Sequence, residues 1–132
     1  MPEDLRLSPA EAVQLAQRLI DDGRPFHAHE VLEATWKSAP ADERALWKGL
    51  AQIAVGLTHA RRGNSKGAVT LLSRGATAVA AHGDGPGAET SGLDLAAVLA
   101  ATCALVDLIN ARGLSAVPPE DLRLPLTDSR GY

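Results

Sequence analysis

The segment Phe26-His-Ala-His-Glu-Val-Leu-Glu-Ala-Thr-Trp36 concentrates the side chains of this chain that could do chemistry. His29 and Glu33 are four residues apart, which on a helix makes them neighbours one turn from each other. An imidazole and a carboxylate so placed can share a metal ion, exchange a proton or hold a polar ligand. At about 100° per residue, Phe26, His29, Leu32, Glu33 and Trp36 fall on one contiguous face. Phe26, Leu32 and Trp36 are the large apolar anchors of that face, so His29 and Glu33 are expected to be drawn inward with them. Buried polar groups need partners, and buried charges need them more.

The partners are expected from the next helix. Lys48, Gln52, Val55 and His59 form a row at spacings of four, three and four, beside a stripe of Leu46, Gly49, Leu50, Ile53, Gly56, Leu57 and Ala60. If the two segments form a helical hairpin, His29, Glu33, Gln52 and His59 share one pocket with Lys48 at its rim. Phe26 and Trp36 would be its walls, and Arg62 and Asn64 further polar contacts. Glycine weakens an isolated helix by about 1 kcal/mol, so Gly49 and Gly56 make more sense where another helix packs closely.

The elements that position these residues are helices. Ser8-Pro9-Ala10-Glu11 offers an N-cap, a proline at the first helical position and a capping-box glutamate, and Gly23 ends the segment they open. Pro25 opens the second helix, Pro40 separates it from the third, and Gly63-Asn64-Ser65 ends the third and caps the fourth. A Gly-rich stretch, residues 82–92, reads as a loop, with Ser91 as cap of the fifth helix. These signals predict one domain over residues 1–132, with helices at about 8–22, 25–38, 42–62, 65–81 and 93–112 and an extended tail, 114–132, tied by Leu122, Leu124 and Leu126. Short connections make successive helices antiparallel neighbours. The fold class is therefore all-α: an antiparallel helical bundle or array of about five helices.

Composition narrows the function. The chain has 132 residues, a hydrophobic fraction of 45% and only 3% aromatic residues, so a core of Leu, Val, Ile and Ala is expected. A net charge of −3 gives no electrostatic footing for nucleic acid. The apolar run from Leu95 to Val106 is shorter than the roughly 20 residues that span a bilayer, and no leader pattern opens the chain. The single cysteine, Cys103, has no His or basic neighbour and reads as a buried, inert thiol of a reducing compartment. A cytoplasmic protein is the expectation. Its partner would be a small molecule or a protein, a further copy of the chain included, rather than nucleic acid or membrane.

Two motifs in order resemble the domain-of-unknown-function 309 family. Ala28, His29, Glu30, Glu33 and Trp36 match its A-H-E-x-x-E-x-x-W core. Gly49, Leu50, Gln52, His59, Arg62, Gly63, Asn64, Gly67 and Ala68 match its G-L-x-Q, its later His, and its R-G-N and G-A positions. The match runs from residue 26 to about 72. His27 stands where the family often has glutamate, so it is not a site candidate. The resemblance implies a small all-helical fold and, through a label sometimes given to the family, metal-dependent hydrolysis. His29, Glu33 and His59 would then be the metal ligands, a set suited to zinc or ferrous iron. The metal would activate a water, with Glu30 and Glu33 as the candidate catalytic carboxylates. Two readings without catalysis stand beside it. One is a buried polar network in which Glu33 accepts from His29, Lys48 or the Trp47 indole and Gln52 bridges the helices. The other is a binding pocket.

Overall fold

A computed structural model describes residues 7–127 apart from Asp84 and Glu89. The opening residues read for a leader and the last stretch of the tail, residues 128–132, lie outside the described residues. Five α-helices run in chain order: α1 (Pro9–Asp21), α2 (Pro25–Ser38), α3 (Arg44–Arg61), α4 (Ser65–His82) and α5 (Leu95–Arg112). Among the described residues the only β-type pairing is an isolated antiparallel bridge between Leu93 and Thr127. The chain is an all-α helical bundle, as the sequence predicts.

The ends of the helices follow local chemistry. Ser8 and Glu11 close a reciprocal capping box around the start of α1, with Pro9 inside it. Asn64 accepts from the Gly67 amide at 3.0 Å and starts α4. The cap of α5 differs from expectation: Asp94, not Ser91, accepts from the Ala97 amide, and Ser91 is buried within the preceding turns. An aspartate one residue before the apolar run is the better placed acceptor, so α5 begins at Leu95.

α3 is the centre of the array. It packs most extensively against α4 on one flank and α2 on the other, while α1 covers α2 and α5 covers α4. Leu46, Trp47, Leu50, Ile53 and Leu57 of α3 are all 1% exposed or less. The α3–α4 crossing is close because glycines meet there. A β-carbon added at Gly75 would stand 2.5 Å from the Gly49 carbonyl oxygen and 2.9 Å from the Ile53 amide nitrogen. Gly56 lies almost as tightly against Leu72, at 2.7 Å.

Two expectations about the core are corrected. Cys103 is exposed rather than buried. The face of α5 that turns inward carries Val98, Thr102, Leu105 and Ile109, and residue 103 is rotated about 100° past Thr102. The helix that carries the apolar run ends at Arg112, as the sequence predicts, but its apolar character extends beyond Val106. Its 18 residues have a mean hydropathy of 1.6, and α5 is long and apolar enough to cross a membrane by length and composition. In the bundle it packs along α4.

After α5 the tail folds back. Short 3-10 turns at Leu114–Ala116 and Pro119–Asp121 lead into a stretch where Leu122, Leu124 and Leu126 are buried. Gln17 of α1 holds it. Its amide nitrogen donates to the Leu124 carbonyl at 2.9 Å, and its oxygen accepts from the Leu126 and Thr127 amides.

Candidate functional site

Pro25 starts α2 without an N–H to satisfy, and Leu32, fully buried, fixes its rotation against α3. That rotation leaves His29, Glu33 and Trp36 half-buried along the α2–α3 seam. From α3 the seam receives Lys48, Ala51, Gln52 and Val55, and from α4 Leu71. Together these side chains enclose a cavity of about 130 Å³. The hairpin predicted from the sequence thus brings His29, Glu33, Trp36, Lys48 and Gln52 together.

Their interactions are loose. His29 Nε2 stands 3.7 Å from Glu33 Oε1, beyond hydrogen-bond range and an ion pair only when the imidazole is protonated. Lys37 Nζ is 3.9 Å from the other Glu33 oxygen. Lys48 Nζ lies over the Trp36 ring, 5.6 Å from its centroid, within the range of a cation–π contact. His29 Nδ1 is buried and has no hydrogen-bond partner among the described residues. Among the described residues, no hydrogen bond joins His29, Glu33, Lys48 and Gln52 to one another. The Trp47 indole, a candidate donor to Glu33, instead donates to Glu43 at 3.2 Å, because Trp47 turns fully into the core.

The remaining candidates lie elsewhere. His59 is taken up at the α3–α4 corner: its Nδ1 lies 3.1 Å from Asn64 Nδ2, and a β-carbon at Gly67 would stand 3.0 Å from its ring. Asn64 uses its oxygen for the α4 cap and its nitrogen for His59. These two residues therefore lock a turn instead of lining the pocket. Glu30 lines a different depression, beside His27 in a groove of about 510 Å³ against Leu15 and Leu19 of α1. Phe26 is 45% exposed and is no core anchor. It sits in the first turn of α2, opposite the last turn of α3. It lines a separate hollow of about 250 Å³ with Arg24, Arg61 and Arg62.

This geometry bears on a metal. The set His29, Glu33 and His59 supplies only its first two members to the cavity. Among the described residues no group of three or more His, Cys, Asp or Glu side chains could hold a metal ion. A zinc or non-haem iron site takes three or four protein ligands, so the residues present do not fit one. The sequence reading missed Ala51, Leu71 and Arg74. Leu71 was open to inference, since it stands one helical turn after Gly67 on α4, but only the tight glycine crossing decides that this edge of α4 reaches the α2–α3 seam.

Fold and site together define an all-α helical array with a small, mostly apolar cavity on its central helix pair, edged by His29, Glu33, Lys48 and Gln52. Residues 13–71, from within α1 to the first half of α4, match the family model described as "Domain of unknown function (DUF309)". The chain is also similar to the "Uncharacterized protein YpuF" of Bacillus subtilis (strain 168), 45% identical over 49 residues. That stretch is 36% of this chain and 28% of the relative, so the chain matches well under half of that protein. No solved structure gives a significant match.

Proposed function

We propose that the chain is a non-enzymatic docking module whose α2–α3 cavity receives one side chain of a partner protein. The observation that carries this reading is unspent bonding capacity. Among the described residues His29, Glu33, Lys48 and Gln52 line one cavity without hydrogen-bonding to each other. A cluster retained only to fix helix register would be satisfied internally. Size separates the two kinds of ligand. At about 130 Å³ the cavity is smaller than the roughly 300–1,000 Å³ of pockets that enclose small ligands. It suits a single anchoring side chain, with Trp36 as an apolar wall of the kind that concentrates binding energy at interfaces. Hydrolysis finds less support, because the candidate carboxylates Glu30 and Glu33 line different depressions.

The test is selection of peptides from a displayed library on the full chain, followed by calorimetric titration of the enriched sequences. Val55→Trp places an indole in the cavity from a half-buried position. Binding at least about tenfold weaker than wild type, with an unchanged melting temperature, is expected. Enriched peptides that bind the variant as well as wild type would overturn the proposal.

A further inference from the structure

The cavity opens onto a second depression. It lies between α3 and α4, has a volume of about 520 Å³, and shares Lys48 and Gln52 with the α2–α3 cavity. Part of its lining is small and apolar: Ala45 of α3 with Ala78 and Ala81 of α4. This shallow apolar lining adjoins the glycine crossing, where a β-carbon added at Gly49 would stand 3.0 Å from that of Ala78.

Its polar lining is of one sign. Lys48 and Arg74 contribute two cations, Ser73 and Thr77 two hydroxyls, and among the described residues no carboxylate lines it. That is a local reversal, because the chain as a whole carries 16 acidic against 13 basic residues. Among the described residues neither cation has an ion-pair partner, and Lys48 is held at the junction of the two depressions by the Trp36 ring. A single small anion would leave most of a 520 Å³ groove empty. A continuous peptide can cross both depressions, setting carboxylates against the two cations and methylene groups against the alanines.

We infer that the α3–α4 groove takes an acidic peptide segment of a partner protein. The inference rests on the docking reading above, whose anchor cavity the same segment would enter past Lys48 and Gln52. Opposite charge at such a rim governs encounter rate and choice of partner more than it does final affinity, and it is screened by salt.

The same library selection tests it, with the enriched peptides titrated against wild type, Arg74→Glu and Val55→Trp, each checked by circular dichroism. Arg74 is exposed and lines only the groove, whereas Val55 lines only the cavity. The expected result is enrichment of Asp and Glu and about tenfold weaker binding to Arg74→Glu at about 0.01 M salt, with the difference gone at about 1 M. Enriched peptides that are neutral or basic, or that are indifferent to Arg74→Glu yet blocked by Val55→Trp, overturn the acidic groove and leave the cavity reading standing. Sensitivity to Arg74→Glu alone overturns the cavity reading and keeps the groove. Displacement of the peptides by millimolar free glutamate or acetate overturns the inference in favour of a small-anion site.

Discussion

His29 carries the sharpest contrast between a structural and a functional role. Its Nδ1 is buried without a partner among the described residues, and its Nε2 lies 3.7 Å from Glu33, so it gives the fold little hydrogen bonding. A buried donor or acceptor left unpaired costs about 1–3 kcal/mol, and an apolar group of similar shape avoids that cost. His29→Leu is therefore expected to match wild type or exceed it by up to about 1 kcal/mol in urea unfolding. A loss above about 2 kcal/mol would show that the imidazole is a structural member after all. The histidine was legible as a site residue because its spacing from Glu33 and Trp36 puts all three on one face. His59 was not legible as a turn lock. Its place in the row of Lys48, Gln52 and Val55 is equally compatible with the pocket, and only the side-chain bond to Asn64 at the corner removes it. Phe26 shows the same ambiguity in reverse, since periodicity assigns a face to a residue but not its depth of burial.

Among the elements, the α3–α4 pair depends most on a few atoms. Gly49 and Gly56 could be picked out from the sequence, as glycines on an apolar stripe with no turn to make. Gly75 could not, because α4 has no single strong stripe against which to place it. Yet Gly75 is the tightest of the three, with backbone atoms of α3 at 2.5 and 2.9 Å from the point an added methyl would occupy. Alanine is intrinsically better than glycine in a helix by about 1 kcal/mol. Here that gain is outweighed, because a backbone atom cannot rotate aside as a side-chain terminus can. Gly75→Ala is expected to lower the unfolding free energy by about 1–3 kcal/mol, read from the urea midpoint at constant slope. A stabilised variant would show that the two helices separate without penalty. The same close crossing adjoins the groove that holds Lys48 and Arg74, so the variant is also expected to weaken peptide binding.

At the scale of the molecule, helix number and order follow from proline, glycine and cap residues spaced along the chain, and all five segments lie within a few residues of the expected bounds. The tail was legible as leucine-tied, though its first part, expected to be extended, forms two 3-10 turns. The residue that ties it was not, because Gln17 is a polar residue on an amphipathic helix and nothing near it in sequence marks a partner. Gln17→Ala removes the donor to Leu124 and the acceptor for the Leu126 and Thr127 amides. A destabilisation of about 1–3 kcal/mol is expected, with amide exchange at Leu126 rising more than at any α3 position. Equal exchange at Leu126 in the two proteins would mean that the buried leucines hold the tail unaided. The Gln17 bonds also join residues 107 to 110 positions apart. At about 5–20 residues per second of synthesis, α1 waits about 5–20 s for the strand that locks it. Over that interval α2, α3 and α4, whose contacts are between sequence neighbours, already have what they need to pair. The cavity and groove are thus built from the early-forming part of the chain, before the molecule closes behind them.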